Sequence, residues 1–266
     1  MRIDVIIPLY RPGEIFFRLV ELLFLQTREI HKIILMNTGK KYFKDHRIWE
    51  KIPEQYKNRI EVHHLAKREF DHGKTRNAGV AYSTAEYFVC MTQDAVPYDR
   101  FLIEKLVEPL LQDEKIAGAY ARQLPGRNSS VLEVFARHYN YPAESVVKSE
   151  RDREKLGIKT YFFSNVCAVY RREIFDRLGG FVNRAIFNED MVYCAKALKA
   201  GYRVAYAARA KVVHSHNYSC IQQFQRNFDI GVSQSMNPEV FGGIRSEAEG
   251  KKMVKEAVGY LYRKSG

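Results

Sequence analysis

Apolar and polar positions follow a repeating order along the first third of the chain. Short runs rich in β-branched and aromatic residues begin near Ile3 (IDVII), His31 (HKIILM), Ile60 (IEVHHL) and Tyr87 (YFVCMT). Their starts lie 28, 29 and 27 residues apart, and the gaps hold helical patterns such as EIFFRLVELLFLQ from Glu14. Parallel strands are buried on both faces and read as near-continuous apolar runs, and joining two of them takes a crossover about as long as a helix. The rhythm therefore predicts an α/β fold, a mainly parallel sheet flanked by helices.

Polar clusters fall where those strands should end. PLYRPG (Pro8 to Gly13) follows the first run, NTGKK (Asn37 to Lys41) the second, EFDHGKTRNAG (Glu69 to Gly79) the third and QDAVP (Gln93 to Pro97) the fourth. Open sheets of this kind collect ligands at the carboxyl ends of their strands, so four loops are expected to converge on one edge.

After about Leu111 the rhythm loosens. Strand-like runs recur at IAGAYARQL from Ile116, TYFFSNVCAVYR from Thr160 and RVAYAA from Arg203, with a helical DMVYCAKALKAG between Asp190 and Gly201. Residues 127–159 read as a polar, irregular insert, a mobile lid or a face for a second substrate. Beyond His216 the chain reads helical to its end, with Val254, Ala257, Val258 and Leu261 at helical spacing beside Lys251, Lys252, Lys255, Arg263 and Lys264. No internal repeat or low-complexity linker interrupts it.

Composition narrows the class. With 266 residues, 46% of them hydrophobic and 28% charged, the chain can bury a large core and is not a disordered polymer. A formal net charge of +12 favours an anionic partner: nucleic acid, an acidic membrane surface or a phosphorylated ligand. Cys90, Cys167, Cys194 and Cys220 show no CxxC or other tight metal spacing, which fits free thiols in a reducing compartment. No run approaches the ~20 apolar residues that span a bilayer, and the N-terminus lacks a signal-peptide layout. A cytoplasmic protein is expected, and one reading of its basic C-terminal helices is peripheral contact with the inner face of the cell membrane. Packing of those helices on the main domain is the other reading.

Four places can carry chemistry. Asp94, just past an apolar strand, can hold a hard divalent cation or simply form a turn. Glu189 and Asp190 precede a helix, where they can cap it or offer a general base, and one carboxylate can do both. His214 and His216 flank Ser215, so on an extended segment both rings face the same side, as a metal or phosphate contact requires. In EFDHGKTRNAG, His72, Lys74 and Arg76 supply positive charge. Gly73 there lets the chain bend, and Asn77 to Gly79 open a helix whose free N–H groups favour an anion. A solvated basic helix start is the plainer account. Tyr139, Tyr141 and Tyr161 could stack on a sugar or pack in the core.

Taken in order, DVIIPLYRPG, HGKTRNAG, the aspartate turn, NEDMVYCAKALKAGYRV and VVHSH resemble the family two glycosyltransferases with the GT-A (Rossmann-like) fold, over about residues 3 to 217. FDHGKTRN followed by TQDAVP looks most like the bacterial rhamnosyltransferase branch, with Asp71 and His72 as the residues nearest to it. The resemblance implies a catalytic domain over 1–217, with a nucleotide-sugar half to about 111 and an acceptor half from about 112, and a helical extension over 218–266. It implies an inverting, metal-dependent transfer of a sugar, L-rhamnose from dTDP-L-rhamnose first and another dTDP- or UDP-sugar otherwise, to a hydroxyl of a glycan or lipid-linked glycan of the bacterial surface.

By position it sets Pro8, Tyr10 and Arg11 around the nucleotide. Asn37 and Thr38 stand where relatives carry an acidic contact, and Arg76 faces the diphosphate, with Asp71, His72 and Lys74 lining the donor site. The DXD metal motif falls on Thr92, Gln93 and Asp94, keeping one carboxylate, so Mg2+ or Mn2+ would need His214 or His216 as well. Asp190 corresponds to the catalytic base and Glu189 to its orienting neighbour. Two other readings stay open: a sugar-nucleotide-binding protein of weak activity, since Asn37 and Gln93 depart from acidic positions, and a basic nucleic-acid binder, which no RNP, KH or zinc-finger pattern supports.

Overall fold

A computed structural model describes residues 1–45, 50, 52–242 and 246–265. Four parallel strands come first: β1 (Ile3–Leu9), β2 (Lys32–Thr38), β3 (Ile60–Leu65) and β4 (Tyr87–Met91). They are followed by β5 (Val96–Pro97), β6 (Ile116–Leu124), β7 (Val146–Lys148), β8 (Cys167–Arg171) and β9 (Arg203–Val213). One sheet runs in the order β3-β2-β1-β4-β8-β6-β9-β5, with β7 also paired to β9. β8 runs antiparallel to both its neighbours, and β6 and β9 pair in parallel. The same sheet thus crosses the boundary near residue 111.

The helices of ten residues or more are α1 (Glu14–Phe24), α2 (His72–Ala81), α3 (Leu102–Gln112), α4 (Val131–Asn140), α5 (Glu189–Lys199), α6 (Cys220–Ser235) and α7 (Ser246–Ser265). Alternation along the strands divides the core in two. Val5, Ile7, Ile33, Leu35, Val89 and Met91 face the layer of α1 and α3, whereas Ile6, Ile34, Met36, Phe88 and Cys90 face the layer of α2 and α5. Cys90, Cys167 and Cys194 are buried free thiols; Cys220 is free and exposed.

Four local expectations change. Residues 127–159 are not irregular: they contain α4, started by Ser130, whose hydroxyl accepts the Glu133 N–H at 3.2 Å, and β7 at the sheet edge. The run from Thr160 becomes a strand only at Cys167, after a turn of 3-10 helix over Gly157–Thr160. The polar bend before α2 is shaped by Asp71, which accepts the Lys74 N–H at 2.7 Å, and not by Gly73. Gly73 lies inside the first turn, where a Cβ would stand 1.9 Å from the Val182 carbonyl oxygen. Asn77 lies in the middle of α2 and does not open it. Its amide donates to the Phe181 carbonyl at 2.9 Å and accepts the Phe181 N–H at 3.0 Å.

The chain after His216 packs onto the sheet domain. Glu249 of α7 accepts from the Tyr139 hydroxyl at 2.6 Å and pairs with Lys159 Nζ at 2.5 Å. No described helix is long and apolar enough to cross a membrane.

Candidate active site

Above the carboxyl ends of the central strands lies a cavity of about 600 Å3. One wall is made where β5 pairs with the end of β9. Val96 opposite Val213 draws the turn that carries Asp94 beside the segment 214–216. There Asp94 Oδ1 is 3.5 Å from His214 Nε2 and Oδ2 is 3.4 Å from His216 Nε2. The two ring nitrogens are themselves 3.0 Å apart, and one donor atom from each of the three residues falls within 4.8 Å of the others.

A bulge between β6 and β9 at Ala121/Arg122 sets the register that aligns Gln123 with Val212, one pair short of the strand end. Gln123 Oε1 is 2.9 Å from His214 Nδ1 and also accepts from the Arg137 guanidinium. Guanidinium only donates, which fixes the amide orientation, and Gln123 Nε2 then donates to Ser164 Oγ at 3.0 Å. His214 Nδ1 therefore carries the hydrogen, and its Nε2 lone pair faces Asp94 and His216. Burial above all holds the His214 pKa down to about 3, and it lowers His216 too. Two neutral imidazoles and a carboxylate, oriented by a second layer, form a donor set that suits a divalent cation, Mn2+ among them. Glu133 joins this layer, accepting from Arg137 Nε at 2.7 Å and from the His216 N–H at 3.1 Å.

The facing wall starts where the chain enters α5. Asn188 occupies the cap position with φ +65° and makes no side-chain cap bond, so Glu189 and Asp190 stand in the first turn and neither caps it. Asp190 Oδ2 accepts the Asn165 N–H and Oδ1 accepts the Met191 N–H, both at 2.8 Å. Glu189 Oε1 accepts from Asn165 Nδ2 at 2.9 Å and lies 3.2 Å from Arg76 NH1. Tyr170 holds Asn165 from behind, its hydroxyl donating to Oδ1 at 2.6 Å.

The two carboxyls diverge. Burial works to raise the Glu189 pKa, but the Arg76 guanidinium and His72 outweigh it and the value falls below the usual range. Asp190 is pushed up to about 7, by burial first and then by the Glu189 charge. Splitting a carboxyl pair in this way produces one permanent anion and one group that exchanges a proton near neutrality.

Arg76, expected to face a diphosphate, borders the cavity and is largely enclosed there. Its side chain is 5% exposed and held by Glu189 and by the His72 carbonyl at 3.0 Å. His72, its pKa lowered chiefly by burial, lines the cavity and stacks on Phe187. Asp71 and Lys74 do not border this cavity; they face a neighbouring cleft. Tyr161 is fully buried, so it packs in the core, whereas Tyr139 and Tyr141 border the cavity.

The other expected donor residues gather at the ends of β1 and β2, outside this cavity. Gln93 bridges the backbone of Tyr10, accepting its N–H at 2.9 Å and donating to its carbonyl at 3.0 Å. Pro8 sits in β1, paired with Met36. Arg11, at φ +48°, donates to the Tyr42 hydroxyl at 2.8 Å and lies 4.5 Å over the Tyr42 ring, while Tyr10 meets Tyr42 edge-on at 5.4 Å. Asn37 and Thr38 are buried; Asn37 Oδ1 and Thr38 Oγ1 have no hydrogen-bond partner among the described residues. Tyr42, Gln123, Arg137 and Asn165 are members that sequence reasoning missed. The polar pair Arg122 and Gln123 at the end of an otherwise apolar strand was the available signal for Gln123.

Comparison with known proteins identifies the family and the fold. The Glycosyl transferase family 2 profile matches residues 4–179. The chain is 40% identical over 269 residues to the O-antigen chain rhamnosyltransferase RfbN of Salmonella typhimurium, covering 99% of this chain and 82% of that protein. It is 41% identical over 216 residues to the O-antigen chain rhamnosyltransferase WbaN of Salmonella anatum, covering 80% of this chain and 67% of that one. Two solved structures share its fold at 14% identity and 99% coverage of this chain. They are S. aureus TarS 1–349 in complex with UDP-GlcNAc (TM-score 0.62, 73% of that chain) and the mannosyltransferase PcManGT from Pyrobaculum calidifontis in complex with GDP-Man and Mn2+ (TM-score 0.58, 75%). The chain belongs to glycosyl transferase family 2 and is a GT-A glycosyltransferase of the bacterial rhamnosyltransferase branch.

Proposed function

We propose that this protein transfers L-rhamnose from dTDP-L-rhamnose to a hydroxyl of a growing surface polysaccharide of the O-antigen kind, with inversion at the anomeric carbon. The observation that carries this reading is the pairing, across one cavity, of a carboxyl poised near neutrality with a carboxylate–histidine cluster. The names of the two Salmonella relatives support the sugar and the pathway.

Asp190 takes the proton of the acceptor hydroxyl. That oxygen bonds to the anomeric carbon while the bond to the nucleotide diphosphate breaks, and the leaving group departs with the electron pair. Asn165 and the Met191 N–H keep both Asp190 oxygens oriented, and Arg76 keeps Glu189 ionised beside it. Asp94, His214 and His216 would hold Mg2+ or Mn2+, which when bound supplies Lewis-acid stabilisation to the leaving diphosphate. Tyr10, Arg11 and Tyr42 offer an aromatic and cationic platform for the base, with Pro8, Asn37 and Thr38 beneath it. Residues 1–111 then serve the donor and 112–217 the acceptor, and the extension over 218–266 completes the cavity.

Release of dTDP from dTDP-L-rhamnose, measured against UDP- and GDP-sugars with Mn2+ and with chelator, tests the proposal. Metal-stimulated release from the dTDP donor is expected, and release only from another sugar would transfer the assignment to that donor. Contact with an anionic membrane face on the cytoplasmic side fits the exposed Ile221, Phe224 and Phe228 of α6 and the Val254 and Val258 of α7 beside Lys251 and Lys255. Sedimentation with anionic vesicles should carry the protein down, and a protein left in the supernatant would remove that contact.

A further inference from the structure

A second cleft, of about 1020 Å3, opens beside the catalytic cavity and shares only His72 with it. Its walls are the segment 68–74 and the segment 183–186, closed at one end by Met236 behind α6. Three cations border it: Arg68, Lys74 and Arg184. Among the described residues none of the three has an ion-pair partner. The two acids in the same wall are turned back into their own loop, Glu69 onto the Ala66 N–H at 2.6 Å and Asp71 onto the Lys74 N–H at 2.7 Å. The positive end of α2 opens at the same place, which adds to the preference for an anion.

The two walls are also fixed to each other. With Gly73 against the Val182 carbonyl and Asn77 bonded twice to Phe181, the loop that carries Arg184 cannot slide relative to the loop that carries Arg68. Arg184 is itself held at φ +63°, in the left-handed region that side chains other than glycine and asparagine rarely enter. The braced backbone fixes where the exposed side chains of Arg68 and Arg184 leave the chain, on facing walls of the cleft. Between the cations stand Phe70, Ile186 and Met236, all large, apolar and exposed.

We propose that this cleft binds the phosphate-bearing end of the acceptor. Arg68, Lys74 and Arg184 take the phosphate oxygens, and Phe70, Ile186 and Met236 receive the apolar part attached to them. The proposal rests on the glycosyl-transfer reading and adds an acceptor subsite outside the reaction cavity. Phosphate could also reach the cleft on the released nucleotide, and the test separates the two sources.

Inorganic diphosphate is titrated into the full chain in the presence of chelator, comparing wild type, Asp94→Ala and the double variant Arg68→Ala/Arg184→Ala, with thermal melting to verify folding. Affinity should fall roughly tenfold or more in the double variant, as expected for lost charge-assisted hydrogen bonds, and stay at the wild-type value in Asp94→Ala. Equal affinity in wild type and double variant, or no binding to wild type, overturns the site. Initial rates are then measured with one acceptor glycan carrying a phosphate and the same glycan without it. The double variant should lose the preference for the phosphorylated form through acceptor KM, with kcat and donor KM unchanged. A raised donor KM, or weaker inhibition by the nucleotide product, would instead give these cations to the nucleotide and overturn the acceptor assignment. Should wild type fail to use dTDP-L-rhamnose at all, the functional proposal falls while the diphosphate titration still reads the cleft.

Discussion

On one wall of the cavity two imidazoles bring their Nε2 atoms to 3.0 Å under the control of Gln123 and Arg137; on the other, two carboxyls share Asn165 and lean on Arg76. Burial acts on both walls and produces opposite results. It strips protons from His214 and His216, leaving lone pairs for a cation, and it returns a proton to Asp190, making an exchangeable acid. The difference comes from the sign of the charge that each group would carry in a poorly solvated place. In both cases the reacting atoms are set by residues behind them, from different parts of the chain.

The largest break in this comparison comes from Asp190→Asn. Turnover should drop by ~10²–10⁴-fold, the usual contribution of a positioned base, with nucleotide binding nearly intact by titration. Turnover within a few-fold of wild type would move the base elsewhere.

Gln123→Leu addresses the opposite wall. Without its acceptor, His214 loses the bond that fixes its tautomer, and Mn2+ affinity should weaken by about 10–100-fold, as for other second-layer partners. An unchanged Mn2+ titration would leave Gln123 a packing residue. The Asp190 side should keep its pH response in this variant, which separates the walls.

The smallest effect is a shift of a pH profile. Asp190 must be ionised to accept a proton, so the rate should rise with pH through about 7 and level off above it. Glu189→Gln removes the neighbouring negative charge that helps to lift Asp190, so the rise should move to lower pH. A rise that stays in place would mean that burial alone sets the Asp190 value.

β1, β2 and β4 were legible because they are buried on both faces, and β3, an edge strand with only Ile60 buried, because it recurs at the same interval. Asp94, His214 and His216 were legible as polar residues at the ends of such runs, and Asp190 as an acid at the start of a helical one. Their neighbours were not, because the partners meet across long stretches of chain: Gln123 reaches His214 over 91 residues and Arg76 reaches Glu189 over more than a hundred. Helix α4 was overlooked although Ser130 and Glu133 carry its start signal and Val131, Val134 and Phe135 follow at helical spacing; only Phe135 is buried, the helix lying on the surface of the domain. Gly73 shows the limit from another side. Its need for a bare backbone arises from Val182, which no local pattern announces.

Arg226, Ile230 and Gln234 of α6, and Glu249, Gly250 and Met253 of α7, all border the reaction cavity. The last helix is gripped there by Tyr139 and Lys159. On the proposed reading, the ceiling over the acceptor is a separate piece of chain from the floor that carries Asp190, Asp94 and the histidines. If that reading holds, drift in the ceiling would change which glycan fits while Asp190, Asp94 and the histidines stay as they are, and a lineage would rewrite its surface carbohydrate by altering one helix.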